Sequence, residues 1–413
     1  MDPTQAERPA TIRQCAILAG GRATRLGALA ADLPKPLLPC GDRPFLAWLL
    51  RELSRFGVSE AVLLAGHLAD RLAEALPAIA ATLPRPMRLV LSREPVQAGT
   101  AGALFHARHL LDPRFLLVNG DSLLDANLAR LLADAAADPP EVLGRLALHR
   151  LADAGRSGVV ALTGECITAF LPRPATAAPG LISAGLYALD RQILDLIGPT
   201  GSLEADVLPG LAARGALRGT LLPGWFIDIG IPADLARAGA ELPRRLRRPA
   251  LFLDRDGVIN QDLGYVGTRD RFHWLGDIRA AIRAASDAGR HVFVVTNQSG
   301  IARGYYSEAQ LAALHAWMID EVRRAGGTID DLRHCPDHPD RPGPWRKPAP
   351  GMLLDLLRVW QADAPGSAML GDQPSDLAAA AAAGVRGLLL SGENPAPQIN
   401  FILCEANQEF VRC

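Results

Sequence analysis

In the stretch LFLDRDGVIN, Asp254 and Asp256 stand two residues apart at the end of an apolar run and are followed by Gly257. Strand alternation would send both side chains to one side if the run continued as a strand. A carboxylate so placed is a candidate nucleophile toward phosphorus. A second one beside it is a candidate general acid to the leaving oxygen, and then base for water. Further along, VVTNQSG supplies Thr296 and Asn297, WRKPAPGM supplies Arg346 and Lys347, and LGDQPSD supplies Asp372 and Asp376. Four polar clusters at four strand ends are expected to meet on one edge of a sheet, where an open parallel sheet exposes its ligand crevice.

The first half of the chain carries a different set. AILAGGRATRLG runs from an apolar segment into a loop in which Gly20 and Gly21 would let backbone N–H groups approach a phosphate. Its spacing fits neither G-x-G-x-x-G nor the G-K-[ST] ending of standard nucleotide loops. Lys35 follows within DLPKPLLP, where Pro34 and Pro36 stiffen the backbone and aim the ammonium group. Asp121 in FLLVNGDS and Asp228 in GWFIDIG each end an apolar run. Two carboxylates converging beside a polyphosphate are what Mg²⁺ requires.

These groups need rigid elements behind them. The chain has 413 residues, 49% of them hydrophobic, enough for two or three domains with sizeable cores. Apolar runs (CAILAG, AVLLAG, MRLVLS, FLLVNGD) alternate with amphipathic segments such as RPFLAWLLRELSRFG. The pattern predicts α/β architecture, with mostly parallel sheets flanked by helices. A second series of the same kind starts at ALFLDRDG, after the basic run RRLRR. The expected organisation is therefore a domain over residues 12–243, a basic linker at 244–248, and a second domain over 249–394. The tail at 395–413 is left without an assigned conformation. The formal net charge of −1 supplies no basic field for nucleic acid. Six scattered cysteines show no disulfide framework, and neither a leader nor a membrane span is apparent, so a cytoplasmic location with reduced thiols is expected. Homo-oligomer formation is left open.

Taken in order, LAGGRATRL, LPKPLLP, EPVQAGTAGAL, VNGDS, LISAGLY, SLEADVLPGL and FIDIGIPADL resemble the sugar-1-phosphate nucleotidyltransferases, in particular the heptose-1-phosphate and mannose-1-phosphate guanylyltransferase branch, over about residues 12–240. The resemblance implies a Rossmann-like domain. Its nucleotide would be bound by Ala19, Gly20, Gly21, Thr24, Arg25, Glu94, Gly99 and Thr100, and Arg25 and Lys35 would be catalytic. Lys35, Ser183, Gly185 and Glu204 would contact the sugar phosphate, and Asp121 and Asp228 would hold Mg²⁺. Where the family has glycine this chain has Ala23, which tolerates a positive φ poorly. The expectation is an altered turn or weakened catalysis.

The run DRDGVIN, TNQSGIARGYY, RKPAPGM, GDQPSDL resembles the haloacid dehalogenase superfamily, and within it the D-glycero-D-manno-heptose 1,7-bisphosphate phosphatases. That resemblance makes Asp254 the nucleophile and Asp256 the acid and base. Thr296 and Lys347 would grip the phosphoryl group, and Asn297 and Arg346 would bind substrate. Asp254, Asp256 through its carbonyl, and Asp372 would bind Mg²⁺. In CPDHPDRPGPWRKP only Cys335 remains of the family's zinc-loop ligands, and Cys335 with His338 cannot close a four-coordinate site. No structural zinc is expected. The implied partners are small molecules, heptose phosphates and a nucleoside triphosphate, rather than nucleic acid or membrane. Two alternatives stand beside this reading: a mannose- or other hexose-1-phosphate nucleotidyltransferase fused to a histidinol-phosphate-type phosphatase, and a chain in which one domain is degenerate and regulatory.

Overall fold

The computed structural model describes residues 12–410, with side chains through Cys404. Cys413 and the stretch before Ile12 lie outside the described residues. The chain divides into two units between Leu246 and Arg247.

In the first unit, apolar runs that stop at a Gly, Asn or charged residue become the strands Gln14–Leu18, Glu60–Ala65, Arg88–Arg93 and Arg114–Asn119, which pair in parallel. Their carboxyl ends therefore share one edge. Beyond Arg114–Asn119 the nine-stranded sheet turns mixed. Gly180–Asp190 pairs antiparallel with it and with Gly144–Leu151, and Leu217–Leu221 pairs parallel to Gly144–Leu151. A two-stranded ribbon joins Ser122–Asp125 to Trp225–Asp228, and its register sets Asp228 opposite Ser122, next to Asp121. The helix Phe45–Arg55 is buried along its whole length, because both its apolar stripe and its opposite face meet protein.

The basic run differs from its expectation as a linker. Arg244 and Arg245 form the last turn of the helix Pro232–Arg245, where cations favour the carbonyl end of the helix dipole. Arg248 is already buried at the start of the second unit.

The second unit has five parallel strands in the order Asp331–Cys335, His291–Asn297, Pro249–Leu253, Asp363–Gly371, Arg386–Leu389. Helices pack on them by apolar stripes. Ile278, Ala281, Ile282 and Ala285 are buried at the one-face spacing of a helix. Ser307 caps Glu308–Arg324 with a reciprocal box to Gln310. The tail, unassigned from sequence, contains the helix Ala396–Phe410, whose Ile399, Ile402 and Leu403 are buried in this unit's core. The two prolines at its start, Pro395 and Pro397, mask the period in the sequence.

Candidate active sites

In the first unit, strand-end loops enclose a cavity of about 250 Å³ lined by Ala19, Gly20, Gly21, Lys35, Glu94, Gly99, Thr100, Asp121 and Glu204, together with Leu18, Pro36, Gln97, Ala103 and Asn119. Gly20 sits in a crowded turn: a Cβ there would stand 2.6 Å from Glu94 Oε1 and 3.0 Å from the Gly66 backbone nitrogen. Glu94 in turn accepts from the Ala98 N–H at 3.0 Å, shaping the turn into the helix Gly99–Ala107. Gly99 has φ +76°, and a Cβ on it would lie 2.4 Å from the Gly201 carbonyl oxygen. Thr100 Oγ1 donates to Glu204 Oε2 at 2.7 Å and accepts from the Leu203 N–H, tying the two loops together.

Lys35 is buried, hydrogen-bonds Asp121 and lies 3.6 Å from Asp228 Oδ1. Gly230 is the point around which the charges crowd, since a Cβ there would be 2.9 Å from Asp228 Oδ1, 3.0 Å from Arg25 Nη2 and 3.3 Å from Lys35 Nζ. Burial raises the Asp228 carboxyl above its ordinary range, and the Asp121 charge adds to the rise while Lys35 opposes it. Arg25 also opposes the rise, so two cations, Lys35 and Arg25, face the two carboxylates. Ala23 keeps the left-handed turn despite its side chain, at φ 50° and ψ 34°. Thr24, Arg25 and Asp228 lie outside the cavity lining, as do Ser183 and Gly185. Ser183 Oγ accepts from the Gly185 N–H, and Gly185 (φ +72°) lets Asn119 pass, as a Cβ would meet its Nδ2 at 2.6 Å. Asn119, in the cavity wall, was not singled out from sequence. Its Oδ1 is buried without a hydrogen-bond partner, and its position inside VNGDS was the available signal.

In the second unit a cavity of about 370 Å³ is lined by Asp254, Asp256, Thr296, Asn297, Lys347, Asp372 and Asp376, with Tyr265, Gln298, Ser299 and Tyr306 among the further residues. Lys347 Nζ lies 2.9 Å from Asp254 Oδ2 and 2.7 Å from Asp376 Oδ1, and it donates to the Val295 carbonyl at 3.0 Å. Asn297 fixes the Lys347 backbone, donating to its carbonyl and accepting from its N–H. Burial pushes the Asp254 carboxyl up to about 7, with Lys347 opposing the rise and Asp376 and Asp256 adding to it. Burial would lower Lys347, yet the two carboxylates hold it above its ordinary value.

Oxygens of Asp254, Asp372 and Asp376 lie within 4.8 Å of one another. Asp372 Oδ1 is buried without a hydrogen-bond partner, and burial raises its carboxyl. Three carboxylates around one ammonium, with an orphaned oxygen among them, fit a divalent cation with oxygen ligands.

The Asp256 side chain departs from the alternation argument. The strand ends at Leu253, so alternation does not set the two directions, although both aspartates line the one cavity. Asp256 turns instead to the buried Arg255, Asn260 and Gln298. Arg346 is absent from the cavity lining and donates to the Asp337 carbonyl at 3.0 Å. Asp337 also accepts from the Gly343 N–H at 2.9 Å, and His338 Nδ1 accepts from the Asp340 N–H. Gln298 and Tyr306 were not singled out from sequence, although Gln298 follows Asn297 directly.

Residues 15–245 match the nucleotidyl transferase family, and residues 344–402 match a family described as HAD-hydrolase-like. The chain is 47% identical over 172 residues to the D-glycero-beta-D-manno-heptose-1,7-bisphosphate 7-phosphatase of Rhodopseudomonas palustris, covering 40% of this chain and 96% of that protein. Among solved structures it resembles HddC from Yersinia pseudotuberculosis with a TM-score of 0.50 and 25% identity, over 56% of this chain and 99% of that one. A second HddC structure, complexed with GMP-PN, matches with the same score and coverage at 24% identity. No helix among the described residues is long and apolar enough to cross a membrane.

Proposed function

The chain belongs to the nucleotidyl transferase family through its first unit and to that of the heptose-1,7-bisphosphate 7-phosphatases through its second, and from this premise we propose a bifunctional enzyme of nucleotide-activated heptose synthesis. The second unit removes the 7-phosphate from a D-glycero-D-manno-heptose 1,7-bisphosphate. The first then transfers a nucleotidyl group, GMP from GTP, to the heptose 1-phosphate and releases pyrophosphate. The carrying observation is that each unit gathers carboxylates around one buried lysine at the carboxyl edge of its sheet: Lys35 with Asp121 and Asp228, Lys347 with Asp254 and Asp376.

In the phosphatase step Asp254 attacks phosphorus, the P–O bond to the sugar breaks, and Asp256 gives its proton to the leaving oxygen. Asp256 then takes a proton from water as that water displaces phosphate from Asp254. Lys347 and the Thr296 hydroxyl hold the phosphoryl oxygens. In the transferase step an oxygen of the sugar phosphate attacks the α-phosphate in line. Arg25, Lys35 and the Gly20–Gly21 backbone position and neutralise the phosphates, so no covalent nucleophile is needed. Mg²⁺ would be held by Asp121 and Asp228 in one site and by Asp254, Asp372 and the Asp256 carbonyl in the other, where it supplies charge neutralisation.

Guanine is supported by the sequence resemblance and by HddC, of which one structure holds GMP-PN. The five described cysteines are free, which agrees with a cytoplasmic setting. The test is to incubate the protein with heptose 1,7-bisphosphate, Mg²⁺ and each nucleoside triphosphate in turn. The expected product by mass is a GDP-heptose without the 7-phosphate. Formation of no nucleotide sugar with any triphosphate, from either the bisphosphate or heptose 1-phosphate, would overturn the reading.

A further inference from the structure

Gln298 is 2% exposed, and all four of its amide hydrogen-bonding positions are used. Its Nε2 donates to Asp256 Oδ2 and to Thr296 Oγ1, both at 2.8 Å. Its Oε1 accepts from Tyr306 Oη at 2.6 Å and from Arg255 Nη2 at 3.2 Å. The amide has only one workable orientation, because a carboxylate only accepts and a guanidinium only donates. Thr296 Oγ1 accepts from this amide, so its own hydrogen is left for an acceptor in the cavity. Tyr306 is fixed in turn by two glycines: a Cβ on Gly267 or on Gly300 would stand 2.4 Å from its ring. Neither site admits a larger residue, and the hydroxyl is thereby held over Gln298.

We propose that Gln298, its amide oriented by Tyr306, is a positioning residue of the phosphatase site that sets the Asp256 carboxylate and the Thr296 hydroxyl at a fixed separation. The inference rests on the assignment of Asp256 as general acid and base. Gln298 itself touches no reacting atom. Without its N–H groups, Asp256 keeps only Arg255 and Asn260, both on its own segment of chain, and loses its link to the strand that carries Thr296.

A positioned proton donor matters most where the leaving group is a poor one. Gln298→Leu is therefore assayed on heptose 1,7-bisphosphate, whose leaving group is an alkoxide, and on 4-nitrophenyl phosphate, whose phenolate leaves without a proton. The quantity read is the ratio of kcat/KM for the sugar ester to kcat/KM for the aryl ester. It is expected to fall at least about tenfold, a part of the roughly hundredfold or more that general acid catalysis supplies, even if both values drop as Thr296 loosens. Tyr306→Phe keeps the ring and removes one hydroxyl. It is expected to move the ratio the same way by a smaller factor, and it decides the matter should Gln298→Leu fail to fold. An unchanged ratio in the folded variants, with Asp256→Asn lowering it, overturns the positioning role. An unchanged ratio in Asp256→Asn overturns the acid and base assignment instead.

Discussion

Lys347 Nζ stands 2.9 Å from Asp254 Oδ2, with both groups withdrawn from solvent. The ammonium does not balance its surroundings, because Asp376 shares it and Asp372 lies close by. The Asp254 carboxyl is accordingly raised from its ordinary 3.8 to about 7 by burial, despite Lys347. A carboxyl whose folded pKa is raised contributes its stability below the unfolded value and loses it as pH rises through the folded one. Metal-free protein should thus lose stability in its second unit between about pH 4 and 7. Asp254→Asn, which cannot ionise, should be the more stable protein at pH 8. Added Mg²⁺ should narrow the gap by stabilising the native protein. Thermal melting of both proteins at pH 5 and pH 8, with and without Mg²⁺, checks this. A native protein that gains stability steadily from pH 5 to pH 8 without metal would contradict it.

The same substitution separates the two activities. Asparagine has nearly the shape of aspartate but lacks the anionic oxygen that attacks phosphorus. Asp254→Asn should abolish phosphate release from heptose 1,7-bisphosphate and leave nucleotide-sugar formation from heptose 1-phosphate intact. Lys35→Ala or Asp121→Ala should do the reverse, since Lys35 and Asp121 bond each other in the first unit alone. Loss of both activities in a folded variant would contradict the division of labour.

Ala23 holds φ 50° without the freedom of glycine. The left-handed conformation costs a residue with a Cβ about 1 kcal/mol. Ala23→Gly should therefore raise the melting temperature of the first unit by a degree or more while keeping nucleotidyl transfer. A fall in both would show that the alanine methyl contributes packing that outweighs the strain.

What was legible in the sequence follows from geometry. Parallel strands place every chemical group that directly follows an apolar run on one edge, so Asp121, Asp254, Thr296 and Asp372 could be located from their runs alone. Contacts that close between distant loops were not legible. Nothing in the spacing of Thr100 and Glu204 announces a 2.7 Å hydrogen bond, and nothing in that of Gln298 and Tyr306 announces theirs. At Asp256 the expected side is met, both aspartates lining one cavity, but not by alternation, since the strand stops at Leu253. The helix at Ala396–Phe410 escaped notice because, among its described side chains, Ile399, Ile402 and Leu403 alone are buried in the core.

The loop before Lys347 offers the last test. It carries Arg346 and Lys347 from the strand Asp331–Cys335 back to the site, and it is pinned at Asp337, which accepts from the Gly343 N–H through its carboxylate and from Arg346 through its carbonyl. Gly343 is confined by the same carboxylate, as a Cβ there would lie 2.6 Å from Asp337 Oδ2. Cys335 is buried, and with His338 it offers at most two ligands, too few to close a four-coordinate site. The loop should therefore need no zinc. Elemental analysis is expected to find well under one zinc per chain, and a chelator that spares Mg²⁺ should leave the melting of the second unit unchanged. Asp337→Ala frees the Gly343 N–H, and should lower phosphatase kcat/KM by about tenfold through misplacement of Lys347 while nucleotidyl transfer continues. Stoichiometric zinc, or an Asp337→Ala protein with full phosphatase activity, would mean that something else holds the loop.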